Sequence, residues 1–437
     1  MKTNLGGKAI RWQRAANFIA SCVLLALVAG CHVNLSAIGN LGNQPYSTTR
    51  TRVEEIPAAL GMAKLEVENQ FGEVKVVVAE EGSKPGWTWK LQAWGKSVER
   101  ATELADAVKL TVETNGSTLH VVVKMPAGRN NVRVQSDLEF RVAKACAVRV
   151  GNGFGVVTIA GVDGPVEAHG EFGAMAIRGV RNEVKARNSF ATLTVRDSGP
   201  SQLRNQNGSL EVSEAHGAVD AETSFAHLRA SGIDGAVNVR NQNGAITVEG
   251  VKGEAQARTS FASLTVKDIG GQLKAANQNG PVTVSGIQGP ADISTSFASL
   301  NVSAVTGNAV LANQNGGIRA REMQGDIQAE TSFGTMDLEG TGTNFKCRNQ
   351  NGAITLRANS PELARVDART SFAHLTVHLP GKLKPAITAH TSFGKVESDF
   401  PVLMKPGGAD QFAGAESGAA RISLDNQNGS IRVHADK

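Results

Sequence analysis

Asn243-Gly244-Ala245-Ile246-Thr247-Val248 is followed 18 residues on by Phe261-Ala262-Ser263-Leu264-Thr265-Val266, and after 18 more by Asn279-Gly280-Pro281-Val282-Thr283-Val284. The same lock runs outward in both directions. The central residue of each unit falls at Asn207, and then every 18 positions at Phe225, Asn243, Phe261, Asn279, Phe297, Asn315, Phe333 and Asn351, so that Phe and Asn units alternate. A fixed period of this length makes each unit one small supersecondary element that buries its apolar face only against its neighbours, and the architecture is therefore a stack.

Counting from the central residue, position +3 holds Leu228, Ile246, Leu264, Val282, Leu300, Ile318, Met336 and Ile354. Position +5 holds Ala230, Val248, Val266, Val284, Val302, Ala320, Leu338 and Leu356, with polar residues such as Thr247, Thr265 and Thr283 between the two columns. This is period-2 alternation, one face in and one out, over a short strand. Ile233, Val251, Ile269, Ile287 and Val305 follow at +8 beside glycines that allow a corner, and a second alternating strand comes next, as in Val237 and Val239. No segment of the unit follows a 3.6-residue period, which excludes helix. The unit reads as strand, Gly corner, strand, Phe or Asn corner. The expected fold class is all-β, a parallel β-solenoid of about 18-residue units whose strands pair with their equivalents one coil along at roughly 4.8 Å. A hairpin sheet with Asn-Gly turns is the competing arrangement. Whether a coil takes 18 or 36 residues stays open, because both put Phe and Asn in regular order along the edges.

The ends differ from the middle. Residues 1–31 carry Lys2, Lys8, Arg11 and Arg14, an apolar run from Phe18 to Val28, and Val28-Ala29-Gly30-Cys31. That order of parts predicts a lipoprotein signal peptide, cleaved before Cys31 with acylation of its thiol. Its loss removes four positive charges, which takes the formal +5 to +1, so the basic pI implies no nucleic-acid partner. Residues 32–49 read as a flexible tether, and 50–150 as an N-terminal α+β cap with a short helix over 97–108. Residues 151–437 are the repeats, with a Pro- and Gly-rich loop at 401–418 and Asn426-Gln427-Asn428-Gly429 closing the series. Of the four cysteines, only Cys146 and Cys347 lie in the body. Cys347 fills a place held elsewhere by Ala, Val, Ile or Leu, and two distant cysteines make no disulfide framework.

The opening Leu65-Glu66-Val67-Glu68-Asn69, a short helix, and Asn-Gly and Ser-Phe-Gly rungs to the C-terminus resemble a bacterial putative-adhesin family of unknown function with β-strand repeats, related to the GIN-type adhesin head. The resemblance covers roughly residues 50 to 435. It implies a β-solenoid on the cell envelope and no established enzyme activity.

Candidate chemistry is sparse. His227 and His374 follow Ser-Phe-Ala with His378 and His390 nearby, but no spacing resembles a zinc motif. Asp197, Asp234 and Asp268 do not share one offset from their own Phe and read as solvated corners. No catalytic residue, metal or cofactor is expected. The candidate residues are Cys31 for lipidation and the corners Phe190, Asn207, Phe225, Asn243, Phe261, Asn279, Phe297, Asn315, Phe333 and Asn351. Phe is expected to fill the end of the core. Asn is expected either to satisfy backbone groups in a ladder or to offer a polar edge to glycan hydroxyls. The expected function is a non-enzymatic, lipid-anchored envelope scaffold of adhesin type. Its partners would be a membrane through Cys31 and a glycan or cell-surface protein. An envelope-stress or signalling component that binds another protein, and a carbohydrate-active enzyme, are the alternatives.

Overall fold

Each alternating strand finds its partner one repeat away. In the computed structural model, which describes residues 46–125, 133–405, 410–413 and 420–437, Ile246–Val251 pairs in parallel with Leu228–Ile233 on one side and Leu264–Ile269 on the other. Val237–Asn241 does the same with Val219–Thr223 and Ala255–Thr259. The coil is therefore 18 residues, about 13 turns follow one another along the chain, and the parallel β-solenoid expected from the repeat is the fold. Two sheets run the length of the stack, one from the strands that follow the Phe or Asn corner and one from those that precede it. Between them lie the +3, +5 and +8 columns and the small Val, Ala and Leu residues of the second strand, nearly all fully buried. Cys347 sits in that second-strand column. Both body cysteines are free and buried, and burial pushes the Cys146 thiol up to about 11 and that of Cys347 to about 12.

At the Gly corner the backbone enters the left-handed region in ten successive coils. Gly161, Gly179, Asp197, Glu214, Gly232, Gly250, Asp268, Gly286, Ala304 and Glu322 all have φ between 52° and 81° and all stand at +7. The strand pairing skips this residue, as between Arg178 and Val180 opposite Arg196 and Ser198, which marks it as a bulge that turns the chain. Asp197 and Asp268 thus share one column after all, while Asp234 stands two positions further on.

The opposite corner is held by a polar ladder that the sequence reading did not single out. The residue two before each central one is buried in every coil: Asn205, Thr223, Asn241, Thr259, Asn277, Thr295, Asn313, Thr331 and Asn349. Asn277 Nδ2 donates to Ala262 O of the preceding coil at 2.7 Å, and its Oδ1 accepts from Gly280 N at 3.3 Å. In the next coil Thr295 Oγ1 donates to Gly280 O at 3.1 Å. The Asn241–Thr259 and Asn313–Thr331 steps repeat this pattern. Each corner carbonyl is thus met by a side chain from the coil above it, which a buried turn requires. The adjacent glycine is obligatory, because a Cβ on Gly280 would lie 2.1 Å from Ala262 O and 2.7 Å from Asn277 Nδ2.

Three expectations about the ends are corrected. The tether does not reach 49, since β1 (Tyr46–Glu55) already pairs with β4 (Gly86–Gly95). The cap does not occupy 50–150 as a block. Strand β2 (Lys64–Phe71) pairs in parallel with Ala147–Phe154, and β3 (Val74–Val78) pairs with Val157–Ala160, so residues 64–78 are themselves a coil. The described residues between 79 and 146 lie beneath that coil. There β5 (Lys109–Asn115) pairs antiparallel with β6 (Thr118–Lys124), and β6 and β7 (Arg133–Val142) form the next parallel layer. Helix α1 (Val98–Ala107) is N-capped by Ser97 and buries Ala101, Leu104 and Ala105. Finally, Asn426-Gln427-Asn428-Gly429 does not close the stack. Ala420–Asn426 inserts between Arg365–Thr370 and Pro385–Thr391, leaving coil 385–398 outermost, with Asp410–Ala413 paired antiparallel along it. The insertion restores the ladder order, since Thr370, Asn426 and Thr391 are now successive. Residues 1–31, with Cys31, lie outside the described residues.

Two stability outcomes follow from the corners. Asn277→Ala deprives Ala262 O and Gly280 N of their partners in a buried turn and is expected to cost roughly 1–3 kcal/mol, read as faster amide exchange confined to about residues 255–285. Asn279→Ala should cost less, because Ser260 O still receives the Asn279 backbone N–H at 2.9 Å. Equal effects of the two changes would be inconsistent with this ladder. Ala304→Gly relieves a left-handed L-residue and should stabilise its coil by about 1 kcal/mol in denaturant titration, with Gly250→Ala shifting stability the other way by a similar amount.

Candidate interaction edge

The Phe side chains do not fill the end of the core. They stand on the outside of the ladder corner, because the inward-facing corner position is already taken by Asn or Thr two residues earlier and by the aliphatic residue at +3. Phe154 is 41% exposed, Phe172 48% and Phe190 53%, while Phe225, Phe261, Phe297, Phe333 and Phe372 are 60–62% exposed. Phe393, on the outermost coil, reaches 84%. Nine of the large exposed hydrophobic side chains therefore lie in one row along one edge of the solenoid. Most other exposed large apolar residues, such as Val53 and Val310, are scattered singly. A contiguous apolar strip of this kind marks a contact surface.

The row has two zones. Phe71, Phe154, Phe172 and Phe190 belong to successive coils and stack, with centroids 4.9, 4.5 and 4.7 Å apart and planes within 9° of parallel. From Phe225 onward a ring appears only on every second coil, and the loss of its neighbour explains the greater exposure. The intervening coils carry Asn at the same offset. Asn243, Asn279, Asn315, Asn351 and Asn428 do not reach outward. Each Nδ2 donates at 3.1–3.3 Å to the serine carbonyl of the coil before: Ser224, Ser260, Ser296, Ser332 and Ser371. The zone is thus a comb of rings with slots floored by Asn-Gly. The exposed Gln206, Gln242, Gln278, Gln314, Gln350 and Gln427 flank the slots. Spatial order keeps the comb regular to the end of the stack, since Asn428 lies between Phe372 and Phe393 through the inserted coil.

Titratable groups pair on the outward faces of the strands, as Arg204 does with Asp220 and Arg348 with Asp367, and along the Gly corner. His216 bridges Asp234 at 3.0 Å and Asp197 at 3.1 Å, and Lys252 continues the line to Asp234 at 2.8 Å. The hydrogen bond to Asp234, then that to Asp197, holds the His216 imidazole above its usual range. His378 and His434 pack at 5.0 Å and pair with Asp436 and Asp399, and His390 pairs with Asp425. His227 and His374 are exposed beside the edge on distant coils. The His–Asp contacts join neighbouring coils at the surface. Among the described residues no group of three or more His, Cys, Asp or Glu could hold a metal ion.

The edge offers ring faces, ring edges and glutamine amides for contact. The buried ladder behind it was the part missed in the sequence. Its signal was present as a column of Asn or Thr two residues before each centre, broken only by Gly170, never charged and never large.

No family model and no curated protein matches this chain. Solved structures it is similar to include a putative cell adhesion protein of Clostridium sporogenes, at 10% identity over 89% of this chain and all of that one, with a TM-score of 0.17. A putative adhesin of Parabacteroides distasonis is 15% identical over 67% of this chain and 97% of that one, with a TM-score of 0.23. A putative adhesin of Bacteroides fragilis is 9% identical over 90% of this chain and all of that one, with a TM-score of 0.17.

Proposed function

We propose that this chain is a non-enzymatic, lipid-anchored scaffold of the cell envelope that acts as an adhesin-like contact surface, with the row of Phe side chains as its binding edge. The observation that supports this reading most is the row itself. Nine exposed rings on one edge are costly to keep in water, and covering each one is worth about 1.5–3 kcal/mol. Repetition then turns weak single contacts into avidity, which suits attachment better than one-site chemistry. The motif resemblance to envelope β-solenoids points the same way. The Val-Ala-Gly-Cys tetrad supplies the anchor through acyl chains on Cys31.

Two experiments test the two halves of this reading. Cells displaying the chain are offered sister cells, a β-linked glucan coat and bare polystyrene. Phe225→Ser, Phe261→Ser and Phe297→Ser together should lower retention at least about tenfold on whichever surface holds the wild type, with little change in thermal stability, because these rings are outside the core. Undiminished retention on every surface would remove the edge from adhesion. For the anchor, wild type should incorporate labelled palmitate and sediment with membranes, whereas Cys31→Ala should do neither. Equal labelling of both would dispose of the lipid anchor.

A further inference from the structure

The comb of rings is complementary to itself. From Phe225 to Phe393 a ring projects from every second coil, in spatial order Phe225, Phe261, Phe297, Phe333, Phe372 and Phe393, and a slot floored by retracted Asn and Gly lies between each pair. At roughly 4.8 Å per coil, successive rings stand about 9.6 Å apart. One more ring entering a slot would lie about 4.8 Å from each neighbour. This chain already adopts that spacing where consecutive coils carry Phe, at 4.5–4.9 Å between Phe71, Phe154, Phe172 and Phe190. The occupant that fits must itself present planar apolar groups at a two-coil period, and a second comb of this chain does so.

We propose that the edge closes against a second copy of this chain, antiparallel and displaced by one coil, so that the rings of each copy fill the slots of the other. This rests on the reading of the edge as the adhesive surface and names its partner. Antiparallel pairing places the same patch on both copies and closes as an isologous dimer, whereas a parallel pair offset by one coil is heterologous and does not close. The area is sufficient. A phenylalanine of about 200 Å² that is three-fifths exposed offers about 120 Å². Six such rings on each of two copies therefore give about 1,400 Å², within the range of specific interfaces. The slots themselves hold Asn, Gly and Gln, and the charged Glu222, Arg240 and Arg258 stand to the side of them. Antiparallel pairing also sets the two N-termini at opposite ends of the dimer, the geometry of a contact between two facing membranes.

The test fills the slots instead of emptying the comb. Asn243→Phe, Asn279→Phe and Asn315→Phe together convert the alternating zone into the continuous stack native to Phe154, Phe172 and Phe190. In Asn188-Ser189-Phe190-Ala191 the buried Asn of the ladder already precedes such a ring, so the coil accepts it. The full chain carrying Cys31→Ala, recovered from the soluble fraction, is followed by sedimentation up to about 100 μM, and cells displaying the native chain are mixed to score aggregation. The expected result is a dimer for the parent, and monomers both for the slot-filled variant and for the Phe225→Ser, Phe261→Ser, Phe297→Ser variant, with mixed-cell aggregation lost in both. A slot-filled variant that associates as well as or better than the parent would overturn the zipper in favour of plain apolar adhesion. A monomeric parent whose retention on glucan or polystyrene still needs the Phe row would overturn the zipper and leave the adhesive edge standing. A monomeric parent whose retention is indifferent to the Phe row would overturn both.

Discussion

The interaction on which the rest depends is the hydrogen bond that a buried Asn or Thr at each corner makes to a carbonyl of the coil before it. A turn with no sheet partner must satisfy its carbonyls or stay wet. Asn241 to Ala226 O and Thr259 to Gly244 O do this within the stack, and they do it alternately. The alternation propagates. From Asn241 onward the Asn form accepts from a glycine N–H three residues on, in a turn so close to the previous coil that no Cβ fits. The Thr form is followed by Ser-Phe-Ala or Ser-Phe-Gly. The two-coil rhythm of rings on the outer edge is thus linked to an inner rhythm of hydrogen bonds.

The second constraint is coil pitch. Every column of the repeat is compressed to the spacing of neighbouring strands, so inner columns are mostly Val, Leu, Ile, Ala, Met and Cys, with Ser198 and Ser201 paired among them and buried rings at Phe140 and Phe345. The Gly corner imposes its left-handed bulge even on Asp197, Glu214, Asp268, Ala304 and Glu322. Strain is accepted at these five residues because the coils above and below fix the turn. Carboxylates in and beside this corner then pair with basic groups a coil away, as Glu214 does with Arg196 and Asp234 with Lys252. The Phe row stands on the opposite edge, outside the buried columns.

The termini obey the same rules by a different route. Chain order and stacking order part at both ends: residues 64–78 lie between the layer of β6 and β7 and coil 147–160, and the C-terminal coil 420–436 is slotted in before coil 385–398. In both places the insertion keeps corner residue over corner residue, Asn69 beside Asn152 and Asn426 between Thr370 and Thr391. The antiparallel strands beyond them cover edges that would otherwise recruit further strands.

The sequence by itself determined the fold class, the 18-residue unit, the strand faces and the corner positions, because all of these follow from periodicity, and a period of 18 with alternation of two has few physical realisations. It also carried the helix near 97–108, seen as Val98–Ala107. It did not determine which of two adjacent corner asparagines is buried. Asn277 and Asn279 are chemically identical, and only the direction of the turn decides that the first faces Ala262 O in the interior and the second lies back on Ser260 O outside. For the same reason the Phe rings read as core and proved to be surface. Hydrophobicity fixes a preference for burial, but whether room exists inside is settled by what the neighbouring coil has already placed there. Stacking order was likewise invisible at the ends, where Phe372, Phe393 and Asn428 break the alternation along the chain and restore it in space. Contact between coils is a property of the assembled stack, and only the tertiary structure could give it.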